Sequence, residues 1–158
     1  MKVYLPDENA TRQFGVILGQ TLNPGSVILL QGELGAGKTT LVQGIGSGLG
    51  LEEAIVSPTF SLISEYEEGR IPLYHLDLYR LKPEEVAGLY LESYWEGVEI
   101  PPGIMVIEWA EHLPYLPESY LKIELTYTDT VGRWAKLTTC QFACEPQLAI
   151  ALQSLNRE

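Results

Sequence analysis

The sequence is short of positive charge. Ten Lys and Arg stand against 21 Asp and Glu, for a net charge of −11. The basic residues are scattered and form no stripe, which argues against tight unaided binding of DNA or RNA. A nucleic acid in this protein's pathway would be held by another subunit. Cysteine is scarce as well. Cys140 and Cys144 make no disulfide framework, lack C-x-x-C spacing and have no further Cys or His-x-His to complete a zinc site, so they read as small apolar fillers. Long apolar runs are missing: 46% of the residues are hydrophobic, yet no run approaches the roughly 18 residues of a membrane span. The N-terminal stretch MKVYLPDENATRQF has no apolar signal-peptide core. The expectation is a cytoplasmic protein with no membrane association. Without repeat, linker or low-complexity segment, the 158 residues suit one domain, 1–158.

The most informative stretch is Val27 to Leu41, VILLQGELGAGKTTL. Val27 to Leu30 is an apolar run suited to a buried strand, and Leu41, Val42, Ile45 and Leu49 recur at helical spacing. Between them, Gly32 to Thr39 matches the P-loop pattern G-x-x-x-x-G-K-[ST]. A polyphosphate must be gripped without bulk. Gly32, Gly35 and Gly37 let the backbone turn its N–H groups inward as an anion nest, and the following helix adds unpaired donors and a favourable dipole. Lys38 supplies a cation for the β- and γ-phosphates, and the Thr39 hydroxyl is a Mg²⁺ ligand in this pattern. The helix also carries Gly44, Gly46 and Gly48, which predict close packing against the sheet, and Gly50, which predicts its stop.

Around this unit, Val3 to Leu5 reads as a strand, followed by a helix capped by Asp7 or Asn9 with Phe14, Ile17, Leu18 and Leu22 on its apolar side. Ser57-Pro58-Thr59 follows the P-loop helix, where a switch that senses a γ-phosphate would lie. Ser61–Tyr66 and Ile71–Tyr79 read as a hairpin. Period two puts His75, Asp77 and Tyr79 on one face, either a functional row or the solvated face of an antiparallel strand. Pro83 to about Tyr90 predicts a short helix, with a second through Trp95. Ile104–Ile107 is a second buried strand, ending in Glu108-Trp109. An apolar strand closed by a carboxylate organises Mg²⁺ or the attacking water in P-loop enzymes. Asp77 competes for that role, and both residues can serve. Leu121–Tyr127 and Trp134–Phe142 predict a hairpin, and Glu145-Pro146 opens a last helix with Leu148, Leu152 and Leu155 inward.

Four motifs now stand in order: GELGAGKTT at 32–40, SPTF at 57–60, HLDLYR at 75–80 and IEWAE at 107–111. In that order they resemble the bacterial TsaE (YjeE) family, the ATPase component of the machinery that makes threonylcarbamoyladenosine on tRNA. The resemblance implies an α/β fold, a P-loop NTPase-like three-layer sandwich with a mixed central sheet. It implies ATP or ADP held by Lys38 and the backbone of Glu33, Leu34, Gly35, Ala36, Gly37, Thr39 and Thr40, with Mg²⁺ at Thr39 and Glu108 and Asp77 near the same ion or the catalytic water. It makes Asp77, Glu108 and Lys38 the catalytic set and Ser57 and Thr59 parts of a switch. It puts Trp109 beside the nucleotide, Arg133 near the base and Glu8 against the nucleotide from the other side. The implied partners are the TsaD and TsaB proteins, whose turnover the ATPase drives, with tRNA met only through that complex.

Three other readings share part of this pattern. A GTPase would share the P-loop, and Asp129-Thr130-Val131-Gly132 matches D-x-x-G, but no N-K-x-D guanine reader follows. A small-molecule kinase would need an Arg-rich lid, whereas the five Arg, at 12, 70, 80, 133 and 157, do not cluster. A non-catalytic, nucleotide-gated module would bind ATP without releasing phosphate. The same scarcity of Arg predicts a weak ATPase when alone, because a finger-like cation contributes about 10³–10⁵ in rate.

Overall fold

The computed structural model describes residues 1–33, 35–56, 62–97, 99–142 and 146–155. Among them, seven strands form one sheet: β1 (Lys2–Leu5), β2 (Val27–Gly32), β3 (Ile63–Tyr66), β4 (Leu73–Asp77), β5 (Ile104–Glu108), β6 (Tyr120–Tyr127) and β7 (Arg133–Cys140). Their spatial order is β1-β7-β6-β2-β5-β4-β3. The centre is parallel, with β2 between β5 and β6 and β4 beyond β5. The β6–β7–β1 side and the β3–β4 edge are antiparallel. The sheet is therefore mixed, as expected.

Alternation along the central strands builds two cores. Ile28 and Leu30 of β2 and Ile104 and Val106 of β5 face one way, while Val27, Leu29, Met105 and Ile107 face the other. Both faces are dry, which explains why these strands read as unbroken apolar runs. On the first face lie α1 (Glu8–Thr21), α2 (Lys38–Leu49) and α5 (Pro146–Leu155), contributing Phe14, Leu18, Leu41, Ile45, Leu148 and Leu152. On the second lie α3 (Pro83–Ala87), α4 (Glu92–Glu96) and a 3₁₀ turn, Ala110–His112. Helix, sheet and helix give the three-layer α/β sandwich. Asp7 is the α1 cap, its carboxylate accepting from the Ala10 N–H at 2.8 Å. The α4 segment is tied down by Tyr94, which donates to Glu65 at 2.9 Å, and by Tyr115, which donates to Glu92. Burial together with the Glu65 bond raises the Tyr94 phenol to about 12, and the bond to Glu92 raises that of Tyr115 to about 12.

Several expectations need correction. The glycines of α2 approach a helix rather than the sheet. A Cβ on Gly44 would stand 2.2 Å from the Arg12 carbonyl oxygen, and one on Gly48 would stand 2.3 Å from that of Val16. Their partners on α1 are Gly15 and Gly19, so the two helices meet backbone to backbone. Gly46 instead makes room for Ile55. The face carrying His75 is not solvated: His75 is 0% exposed, because β4 lies beside parallel β5 under the helical layer. That strand ends at Asp77 rather than Tyr79, since the Asp77 carboxylate accepts from the Tyr79 N–H at 2.9 Å and turns the chain. The α3 helix stops at Ala87, where Gly88 and Leu89 close a tighter turn onto Val86. The β7 strand stops at Cys140, with Gln141 in the left-handed region at φ 47°. Cys140 is half-buried at that strand end and is no core filler. Cys144, and the Ser61 start assigned to β3, lie outside the described residues.

Candidate functional site

The carboxyl ends of parallel strands β2, β5 and β4 converge where the strand order reverses around β2, the crevice in which open α/β sheets bind ligands. From β2 the chain enters the loop at Gly32. Gly35 and Gly37 take φ values of 81° and 100°, conformations that a Cβ disfavours. Gly37 is also the N-cap of α2 and offers no side-chain cap, which leaves first-turn N–H groups open to the loop. Lys38, the first residue of α2, is 7% exposed. Its ammonium donates to the Gly32 carbonyl at 2.6 Å and lies 4.1 Å from the centre of the Trp109 ring.

Across the pocket, Asp77 and Glu108 are register partners at the ends of β4 and β5. The pocket is a cavity of about 270 Å³ lined by Gly35, Gly37, Lys38, Thr39, Thr40, Asp77, Glu108 and Trp109. All eight are among the residues expected to meet nucleotide or metal, Asp77 and Glu108 with the shared catalytic and metal role. Trp109 reaches it through a backbone turn at φ 58°, left-handed and unusual for a bulky residue, which redirects the chain from β5 into the 3₁₀ turn. Glu108 is 4% exposed, and its Oε2 accepts from His75 Nε2.

A second cavity, of about 340 Å³, adjoins the outer side of the loop and is lined by Asp7, Glu8, Thr11, Gly35, Ala36, Gly37, Thr40, Val131 and Arg133. It brings together Glu8 and Arg133, which are 125 residues apart in sequence. The Arg133 guanidinium lies 4.3 Å from the Tyr127 ring centre and donates to the carbonyls of Ala36 at 3.3 Å and Gly35 at 3.5 Å. The Glu33 side chain is exposed and lines neither cavity, while its carbonyl accepts from the Ala36 N–H at 3.0 Å. Leu34, Ser57 and Thr59, and with them the expected switch, lie outside the described residues.

The donor set suits a magnesium nucleotide. The glycine cradle, the uncapped helix start and Lys38 match a polyphosphate, and Thr39, Asp77 and Glu108 supply hard oxygen donors. Among the described residues no three His, Cys, Asp or Glu side chains converge as a metal cage.

Motif reading missed three contributors. His75 was singled out only as one of a polar row, and its place behind Glu108 follows from the β4–β5 register. Tyr79 packs on Trp109 with ring centres 4.8 Å apart. Tyr127 supports Arg133. Tyr79 and Trp109 lie 30 positions apart and no local pattern pairs them, whereas Tyr127 and Arg133 face each other across the β6–β7 hairpin.

The chain matches the family model described as "Threonylcarbamoyl adenosine biosynthesis protein TsaE" over residues 5–135. A tRNA threonylcarbamoyladenosine biosynthesis protein TsaE of Nostoc sp. is 62% identical over 137 residues, covering 87% of this chain and 85% of that protein. The protein of the same name in Bacillus subtilis is 36% identical over 143 residues, with 84% and 86% covered. Among solved structures, the crystal structure of YdiB from Bacillus is similar at a TM-score of 0.73 and 31% identity, covering 99% of this chain and 94% of that one. The motif resemblance and the fold point the same way: the chain belongs to the TsaE family.

Proposed function

We propose that this protein is a Mg²⁺-dependent P-loop ATPase of tRNA threonylcarbamoyladenosine synthesis, driving turnover of a TsaD–TsaB complex. The observation that carries the reading is the convergence of Lys38, Thr39, Asp77, Glu108 and Trp109 on one pocket at the mouth of β2, β4 and β5. Family membership supports the pathway, and the P-loop chemistry supports the reaction. In this reading the loop amides and Lys38 hold the triphosphate. Thr39 and one carboxylate hold the metal, and the other carboxylate orients the attacking water. Bound Mg²⁺ supplies charge stabilisation at the phosphoryl group being transferred. Arg133 and Glu8 border the side of the loop away from the carboxylates, which suits contact with the nucleoside. The net charge of −11 favours tRNA docking on the partners rather than on this chain.

The test is steady-state ATP hydrolysis by the isolated protein, then with purified TsaD and TsaB, then with tRNA alone. Marked stimulation by the protein pair, and none by tRNA alone, is the expected result. A fast rate indifferent to the pair, or stimulation by tRNA alone, would reject partner-driven turnover. Absence of hydrolysis in every mixture, with ATP bound, would leave a nucleotide-gated module.

A further inference from the structure

His75 is the one histidine of the sheet interior, 0% exposed, in a layer otherwise made of Leu73, Ile104 and Val106. It pairs in register with Val106, two residues before the Asp77–Glu108 pair, so its side chain shares the face of both carboxylates. Its ring makes one hydrogen bond, from Nε2 to Glu108 Oε2. The second ring nitrogen, Nδ1, is buried with no hydrogen-bond partner among the described residues. Nε2 faces an acceptor and so carries the proton, which leaves Nδ1 a bare lone pair in the neutral ring. A histidine that only filled space would be an inferior choice here, because a leucine would fill the layer without an orphaned polar atom.

The benefit falls on Glu108. Its carboxylate is 4% exposed above apolar side chains that offer no donor. A buried carboxylate without a partner turns toward water or takes up a proton. The Nε2–H of His75 engages Oε2 and leaves Oε1 to serve the pocket that Glu108 lines.

We propose that His75 is a positioning residue for the metal–nucleotide site: its bond to Oε2 fixes the orientation in which Glu108 turns its other oxygen to that site. This rests on the magnesium-nucleotide reading above. It parallels the way outer partners orient ligating groups in metal sites, where removing the partner costs about 10–100-fold in metal affinity or activity.

The experiment compares the full-length protein with His75→Leu and His75→Gln. Gln carries an N–H that can reach Oε2, and Leu has none. Mn²⁺ affinity in the presence of ADP, read from free Mn²⁺ by electron paramagnetic resonance, is the first readout. His75→Leu should weaken it about 10–100-fold and lower kcat similarly, with the KM for ATP changed little. His75→Gln should recover most of both, and ADP affinity without metal should be unchanged in either. Equal Mn²⁺ affinity in His75→Leu and the parent protein, or a His75→Gln protein as impaired as His75→Leu, overturns the proposal and leaves the ATPase reading standing. A parent protein that holds no Mn²⁺–ADP sinks that reading and this inference together. A second measurement needs no destabilising variant. The chain has two His, so long-range ¹H–¹⁵N spectra resolve both rings. His75 should show the Nε2–H tautomer, and Glu108→Gln should shift its Nε2 signal and leave that of His112 in place. An Nδ1–H tautomer at His75 would overturn the proposal whatever the nucleotide data.

Discussion

The ammonium of Lys38 sits over the face of Trp109, 4.1 Å from the ring centre, while donating to the Gly32 carbonyl. The P-loop cation is thus parked on an indole and a loop carbonyl. A cation over an indole face contributes about 0.5–2 kcal/mol, depending on solvation. A charge-assisted bond to phosphate contributes about 1.5–3 kcal/mol and would draw the ammonium off the ring. Tryptophan emission should therefore change on adding ATP or ADP. Trp109→Phe should abolish the response, because Trp95 lies against Tyr115 and Trp134 against Tyr4, outside both cavities of the P-loop. Lys38→Ala should keep the circular dichroism of the parent and lose about 10–100-fold in nucleotide affinity. A response that survives in Trp109→Phe would move the pocket elsewhere.

Asp77 and Glu108 face each other across the strand ends but differ in surroundings. Glu108 is buried against His75, while Asp77 is half-buried and accepts from the Tyr79 N–H. Glu108→Gln keeps an amide oxygen for His75 and removes the charge. It should bind ATP near the parent level and hydrolyse it about 10²-fold or more slowly, as when a group acting on water or metal is lost. Asp77→Asn should slow hydrolysis less. Comparing kcat with nucleotide affinity in both variants decides the matter: if Asp77→Asn alone abolishes turnover, the two roles are exchanged.

How much of this was legible in the sequence follows from which forces act locally. The strand–loop–helix unit from Val27 to Leu49 could be read because phosphate chemistry, glycine conformation and helix spacing all act within a few residues. The α1 cap, narrowed in the sequence to Asp7 or Asn9, and the stop at Gly50 were legible for the same reason. His75 was not, since its partner lies 33 positions away and only the β4–β5 register brings the two together. The helix glycines were assigned to the wrong neighbour, because a need for small residues can be seen in one helix while the surface that imposes it cannot. The end of β4, set by a single side-chain bond at Asp77, was off by two residues, as was the end of β7.

Gly44 tests that helix contact directly. Replacement by Ala gains about 1 kcal/mol of helix propensity. Against this, the new Cβ would stand 2.2 Å from the Arg12 carbonyl oxygen and 3.0 Å from the Gly15 Cα, backbone atoms with nowhere to move. Overpacking of this kind costs about 1–3 kcal/mol and occasionally more, so Gly44→Ala should destabilise the protein and lower Tm by several degrees. Gly88→Ala is the control, because its Cβ would meet only the Glu85 carbonyl oxygen at 3.5 Å. Thermal unfolding of the pair should separate them, and equal Tm values would refute the backbone-to-backbone contact.

Arg133 offers the last test, because its geometry gives it a bracing role around the loop. Its guanidinium donates to the carbonyls of Val131 at 2.9 Å and Gly132 at 3.1 Å within its own hairpin, and to those of Ala36 and Gly35 across the gap. It also stacks on Tyr127, whose hydroxyl would lie 2.9 Å from a Cβ at Gly35. One planar, five-donor group thus ties the β6–β7 hairpin to the outer side of the P-loop. Lysine keeps the charge but has neither the fork nor the flat face. Arg133→Lys should therefore behave much like Arg133→Ala, with nucleotide affinity down about 5–30-fold for the loss of roughly 1–2 kcal/mol of bonds and stacking. Amide hydrogen exchange at Gly35 to Gly37 should accelerate in both variants even without nucleotide, because the loop loses its outer support. If exchange there is unchanged while affinity falls, Arg133 acts on the bound nucleotide alone, and the bracing role is wrong. If Arg133→Lys retains full affinity, only the charge matters.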